Sequence, residues 1–91
     1  MIETLQIIIR GTVQGVYFRQ SAKEQAQVLG IKGTVKNSAD GSVNIVASGD
    51  HNHLQRLIDW CCKGPRLAAV TDVHVEKIPF IDFDDFTIVR S

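Results

Sequence analysis

The order in which the apolar residues change their spacing constrains the fold of this chain more than any other feature. Leu5, Ile7 and Ile9 alternate with their neighbours, as in a β-strand with one buried face. From Phe18 onward the apolar side chains recur every three or four residues, which is the spacing of one helical face. Further along the chain the apolar residues again alternate at every second position, then recur every three or four residues, and finally alternate once more. Strands and helices are therefore expected to follow one another in a fixed order.

The changes of spacing predict five strands and two helices. The first half of the chain is expected to hold a strand ending near residue 10, a helix from residue 18 to a glycine cap at residue 30, and a hairpin with arms at 31–35 and 43–47. A second helix carries Leu54, Leu57, Ile58 and Cys61 and stops at residue 64. Strands at 70–78 and 86–89 complete the chain. The order βαββαβ with one extra C-terminal strand predicts a ferredoxin-like α+β sandwich. In that arrangement two helices cover one face of an antiparallel sheet.

Length and charge limit the classes of function. Because small domains bury only about 60% of their unfolded surface, a chain of 91 residues cannot comfortably hold two, and we expect one domain spanning residues 1–91. Ten Lys and Arg residues balance ten Asp and Glu residues, so no broad positive field is expected to attract nucleic acid or a membrane surface. No apolar run approaches the roughly 20 residues of a membrane span, and the N-terminus lacks a signal-peptide pattern. We expect a cytoplasmic protein, as a monomer.

Neither the cysteines nor the histidines predict a reactive centre. Cys61 and Cys62 are adjacent, which is incompatible with ordinary disulfide geometry, so both are expected to be free thiols, with Cys61 buried on a helical face. No metal site is expected, because the remaining candidates lack the spacing of a zinc or EF-hand site and are expected on the surface. These candidates are His51, His53, His74, Asp82, Asp84 and Asp85.

The segment GTVQGVYFR, residues 11–19, lies between the first predicted strand and the first predicted helix. Free backbone N–H groups at such a junction point at whatever occupies it, and Gly15 can adopt the positive φ that shapes them into an anion-binding nest. Arg19 adds a permanent cation whose planar guanidinium can pair with two phosphate oxygens. The pattern alone leaves two alternatives open, an anion site and an ordinary glycine turn followed by an exposed arginine. Nucleotide-binding glycine patterns are absent.

Four segments of the chain resemble the sequence motifs of the acylphosphatase family. Residues 11–19 resemble its first signature, GxVQGVxFR, and GTVKNSADGSV at residues 33–43 resembles its second, GxVxNxxDGxV. GPRLAAV at residues 64–70 and FTIVR at residues 86–90 are similar to a third element and to the usual last strand. The resemblance thus covers nearly the whole chain.

The resemblance implies an enzyme that hydrolyses the carboxyl–phosphate bond of small acyl phosphates, giving a carboxylate and inorganic phosphate without metal or organic cofactor. It implies that Arg19 binds the phosphate and that Asn37 positions the attacking water. The implied phosphate-binding residues are Gln14, Gly15, Val16, Tyr17, Phe18 and Arg19. Ala22 and Thr34 depart from the family pattern, which has threonine and an aromatic residue there, and we expect these departures to affect packing or rate.

Two other functions stay open. Ferredoxin-like sheets often bind RNA through exposed aromatic residues, although the strands here offer no such residues. A regulatory domain could bind an acyl or carbamoyl phosphate in the same pocket without turning it over. Near the loop, Phe18 is expected in the core, Tyr17 could stack on an acyl group, and the amide of Gln14 could help to shape the loop.

Overall fold

The computed structural model describes residues 1–90 and contains the strands and helices in the order that the spacing of apolar residues predicts. In chain order these are β1 (Ile2–Thr12), α1 (Phe18–Val28), β2 (Lys32–Asn37), β3 (Val43–Asp50), α2 (His51–Lys63), β4 (Ala69–Ile78) and β5 (Phe86–Ile88). The predicted segments are confirmed, with differences of a few residues at their ends. Ser91 of the expected domain lies outside the described residues.

The strands form one sheet in the order β4-β1-β3-β2-β5. β1 pairs antiparallel with β3 and β4, and β2 pairs antiparallel with β3, as predicted. β5 differs, because it pairs parallel with β2. β4 runs in the direction of β3, so the connection at residues 79–85 reverses the chain into the direction of β2. The added strand therefore lies parallel to its only neighbour among the described residues.

The core lies between the two helices and one face of the sheet. Ile7 and Val35 both lie opposite Ile45 in the strand register, so side chains of one parity face the helices together. The helices contribute Phe18, Ala22 and Ala26 from α1 and Leu54, Leu57 and Cys61 from α2, each 2% exposed or less. Burying a Leu, Ile or Phe side chain in this way stabilises the fold by about 1.5–3 kcal/mol. The predicted helical faces and the core position of Phe18 are confirmed.

Cys61 is buried, as expected, whereas Cys62 lies in a different environment. Burial raises the pKa of the Cys61 thiol to about 12, so this thiol is protonated at neutral pH. Cys62 is exposed, and both are free thiols. Cys61 is therefore a packing residue of the core.

The strand register brings three connections to one end of the sheet. Thr12 at the end of β1 pairs with Ala69 at the start of β4, while Asn37 at the end of β2 pairs with Val43 at the start of β3. Val43 also pairs with Ile9 of β1. The loop at residues 13–17 and the turns at 38–42 and 64–68 therefore all lie at this end.

Candidate active site

The loop at residues 13–17 has two backbone positions in the left-handed region. Gly15 has φ of 76°, and Tyr17 has φ of 63° and ψ of 25°. Tyr17 is the one residue other than glycine with positive φ in the part of the chain that the structure describes. A non-glycine residue in this conformation costs about 1–3 kcal/mol and marks a position that the surrounding structure constrains. Alternating left- and right-handed residues turn successive N–H groups toward one point, as in an anion-binding nest.

The N-terminus of α1 adds donors to this nest. Tyr17 is the N-cap, its side chain makes no capping hydrogen bond, and the first turn contains no acidic residue. The first intrahelical bond runs from the Ser21 N–H to the Tyr17 carbonyl over 3.1 Å, which leaves the N–H groups of residues 18–20 ahead of it. These donors and the positive end of the helix dipole favour an anion at this point.

Arg19 lies in the first turn of α1 and lines a cleft with a volume of about 380 Å³. Its side chain is half-buried, and no carboxylate among residues 1–90 lies within ion-pair distance of the guanidinium. A half-buried guanidinium without a carboxylate partner is available for a phosphate or carboxylate ligand.

Asn37, the last residue of β2, lines the same cleft. Its carboxamide oxygen is buried and accepts no hydrogen bond from any of the described residues. Because buried polar atoms are nearly always paired, an acceptor in this position is suited to a water molecule or to a polar group of a ligand. The structure thus brings together Arg19 and Asn37, which are 18 residues apart in sequence.

Gln14 connects the loop to the turn that follows Asn37. Its Nε2 atom donates to the carbonyl of Ser38 over 2.8 Å and to the carbonyl of Ser42 over 2.9 Å. The side chain of Gln14 therefore fixes the position of residues 13–17 relative to the 38–42 turn, rather than lining the cleft itself.

The turn at residues 38–42 is closed by its own polar groups. Ser38 N–H donates to the Ser42 carbonyl over 2.9 Å, and the Asp40 carboxylate accepts bonds from the Ser42 N–H and hydroxyl over 3.0 and 2.6 Å. Arg10 of β1 donates to Asp40 over 3.0 Å. The hydrogen bonds from Ser42, followed by that from Arg10, lower the pKa of Asp40 to about 2. The turn is thus held in one conformation at the end of β2.

The cleft contains residues that were not among the predicted site residues. Arg90 adds a second arginine to the lining of the cleft. The other additional lining residues are Val13, Gln20 and Ile88, which join the predicted Gly15, Tyr17, Phe18, Arg19 and Asn37. Arg90 follows the predicted last strand, and no local signal shows where its side chain goes. Its approach depends on the pairing of β5 with β2, since Val89 N–H donates to the Val35 carbonyl over 2.9 Å.

The other polar candidates lie elsewhere. His51, His53 and His74 and the aspartates of residues 82–85 are exposed, as expected, and His51 Nδ1 lies 2.6 Å from Glu3 Oε2. Within residues 1–90 no three histidine, cysteine or acidic side chains are grouped as a metal site would require. In the same range, neither helix has the length and hydrophobicity to cross a membrane.

Comparison with known proteins identifies relatives over almost the full chain. A family model described as Acylphosphatase matches residues 5–88. A protein from Thermotoga maritima named Acylphosphatase is 46% identical over 87 residues, which are 96% of this chain and 97% of that protein.

Solved structures show the same similarity. The structure of an acylphosphatase from Coxiella burnetii has a TM-score of 0.94 at 36% identity, covering 97% of this chain and 93% of the other. The crystal structure of full-length HypF, in a phosphate- and nucleotide-bound form, has a TM-score of 0.93 at 30% identity; the match covers 99% of this chain and 12% of HypF. The fold therefore also occurs as a small part of a longer protein.

Proposed function

This chain belongs to the acylphosphatase family, and on that premise we propose that the loop of residues 14–19 and the Arg19 guanidinium hold the phosphoryl group while Asn37 orients the attacking water. The chain is an enzyme that hydrolyses small acyl phosphates to a carboxylate and inorganic phosphate. The observation that carries the proposed residue roles is that Arg19 and Asn37 line one cleft. Within residues 1–90, Arg19 pairs with no carboxylate and the buried amide oxygen of Asn37 has no hydrogen-bond partner.

The phosphoryl group is held by fixed donors on one side of the cleft. The N–H groups from Gln14 to Phe18 and the start of α1 point toward one anion, and Arg19 adds two N–H donors in a planar fork. In the transition state, negative charge is spread over the three equatorial oxygens and develops on the departing carboxylate oxygen as its bond to phosphorus breaks. Donors that are already in position stabilise this charge without reorganising, which is the largest single source of rate enhancement in many enzymes.

Asn37 acts on the water rather than on the phosphate. Its carboxamide, which carries both donor and acceptor atoms, can hydrogen-bond to the water and so place the water oxygen in line with the departing carboxylate. An amide has no useful basicity, so the water proton passes to a phosphate oxygen. The leaving carboxylate is weakly basic and needs no general acid. The reaction therefore needs neither a titrating side chain nor a metal or organic cofactor.

We further propose that residues 1–91 act as one monomeric domain in the cytoplasm, with a small acyl phosphate as partner and neither nucleic acid nor membrane. Phe86 is the single Phe, Tyr or Trp in the described strands and is 1% exposed, which argues against RNA stacking on the sheet.

The match to part of HypF gives the regulatory alternative a specific basis. A binding domain would retain saturable phosphate affinity but show negligible turnover, whereas the enzyme is inhibited by phosphate as a product. The full-length match to proteins named Acylphosphatase favours the enzyme.

The test measures release of carboxylate and phosphate from acetyl phosphate in excess chelator. We expect Arg19→Ala and Asn37→Ala each to lower kcat/KM by about 10²–10³-fold, because each removes a group that acts on the transition state. Arg56→Ala and Asn52→Ala are matched controls, since both side chains are exposed on the first half of α2 and neither lines the cleft. Wild-type turnover by folded Arg19→Ala or Asn37→Ala protein would refute that residue's role, and an inactive folded wild type would favour the regulatory alternative.

A further inference from the structure

A second groove, with a volume of about 260 Å³, lies beside the phosphate cleft. Its lining is formed by Val16, Tyr17, Pro65, Arg66 and Leu67. Four of these five side chains are apolar or aromatic, and the proposed catalytic groups are not among them. The proposed mechanism assigns no role to this groove.

The two sides of the groove are held in place by the fold. Thr12 pairs with Ala69, so the loop that follows β1 lies beside the turn that precedes β4. The turn at residues 65–68 is closed by a bond of 3.0 Å from the Ala68 N–H to the Pro65 carbonyl. Gly64 packs so tightly that a Cβ there would lie 2.8 Å from the ring of Phe18, which directly follows Tyr17. The groove is therefore a fixed feature of this end of the molecule.

Tyr17 lines both the cleft and the groove. Its side chain is 78% exposed, and Leu67 across the groove is 66% exposed. Two large apolar side chains left in water on either side of one groove favour an apolar occupant, because covering them removes apolar surface from water. A substrate bound in the cleft by its phosphoryl group has its acyl group as the part that can extend past Tyr17.

We propose that this groove is the acyl-group subsite, and that it favours acyl phosphates with an aliphatic chain of several carbons. The inference rests on the proposed function, because it places the phosphoryl group in the adjacent cleft. Tyr17 and Leu67 are the specificity-determining residues, and the partly buried Val16 and Pro65 complete the apolar lining. The exposed Arg66 is the one charged residue of the lining.

The test compares kcat/KM for hexanoyl phosphate and acetyl phosphate, whose leaving carboxylates have nearly equal basicity. A fully buried methylene is worth about fourfold in binding, and an open groove covers only part of the four extra methylenes. We expect the wild type to favour hexanoyl phosphate about tenfold. Leu67→Asn keeps the approximate shape but removes the apolar wall, and we expect it to reduce the preference to about threefold or less.

Two controls isolate the groove. Leu67→Met keeps an apolar side chain in the groove and should retain the preference for hexanoyl phosphate. Val28→Asn places the same polar group at another apolar position, which is 83% exposed and lines neither the cleft nor the groove, and it should also retain the preference. An equal kcat/KM for the two substrates in an active wild type, or an unchanged preference in Leu67→Asn, overturns the subsite alone. The proposed function fails separately, through the acetyl phosphate rates of wild type, Arg19→Ala and Asn37→Ala.

Discussion

The loop at residues 13–17 and the turn at residues 38–42 lie at the same end of the sheet but use their polar groups in opposite ways. The loop leaves backbone donors without capping partners and holds Tyr17 in a left-handed conformation. The turn pairs its polar groups internally, through Asp40, Ser38 and Ser42. We propose that the loop binds the anion and that the turn keeps Asn37 in place. Substitutions can separate these two roles.

Among substitutions that leave Arg19 and Asn37 in place, the largest effect is expected where the two regions are joined. Gln14→Ala removes the donor shared by the Ser38 and Ser42 carbonyls, so the loop and the turn lose their fixed relative position. We expect kcat/KM for acetyl phosphate to fall about tenfold or more, because misplacement of groups by about 1 Å can cost that much. The free energy of unfolding should fall by about 1–3 kcal/mol. Steady-state kinetics and urea unfolding measure the two changes; Gln14→Ala with unchanged kcat/KM would show that the link does not position the site.

Gly15→Ala tests the loop by itself. A Cβ at this position meets no atom within 4 Å, so the substitution acts through the positive φ and not through a clash. We expect a loss of about 1–2 kcal/mol of stability if the left-handed conformation is kept. The inhibition constant for phosphate should rise several-fold as the nest relaxes, and this is measured by inhibition of acetyl phosphate hydrolysis. Gly41→Ala, at positive φ in the 38–42 turn, is the matched control and should leave phosphate inhibition nearly unchanged.

Tyr17→Gly relieves backbone strain in the same loop. The exposed ring contributes little packing. The left-handed conformation costs tyrosine about 1–3 kcal/mol, which glycine does not incur. The greater conformational freedom of glycine in the unfolded chain offsets about 0.5–1 kcal/mol of this gain in stability. We therefore expect a small increase in the free energy of unfolding together with a few-fold loss of kcat/KM for acetyl phosphate. Loss of stability in this variant, measured by urea unfolding, would contradict the presence of strain at Tyr17.

The smallest effect is expected from Asp40→Asn in the turn. The pKa of Asp40 lies at about 2 in the folded protein, below its ordinary value of 3.8, so its contribution to stability is present above about pH 4 and is lost as the pH falls through 2. The wild type should have a slightly higher Tm than Asp40→Asn at pH 7, and the difference should shrink toward zero near pH 2. A difference in Tm that grows on acidification would contradict this assignment.

The sequence predicts the elements and the core well because these depend on local spacing. Ala22, Ala26 and Leu57 are buried where the helical spacing places them. The parallel pairing of β5 was not predicted, because it follows from the direction in which the chain returns after β4. Arg90 was missed for the same reason, since its place in the cleft depends on that pairing.

The motifs single out Arg19 and Asn37, which the structure places in one cleft, but they do not show the contacts that hold these residues. Gln14 could be suspected of shaping the loop, yet its bonds to two carbonyls in another turn are tertiary contacts with no local signal. The left-handed conformation of Tyr17 is likewise unexpected for a tyrosine, because glycine is the usual residue there.

The most direct test of this division of roles is phosphate inhibition measured beside turnover in Arg19→Ala and Asn37→Ala. If the loop and Arg19 bind the phosphoryl group, Arg19→Ala should raise the inhibition constant for phosphate by about 10²-fold. If Asn37 acts on water, Asn37→Ala should leave this inhibition constant within about threefold of the wild-type value and lower kcat by about 10²-fold. Equal loss of phosphate affinity in the two variants, or retained kcat in Asn37→Ala, would contradict the account.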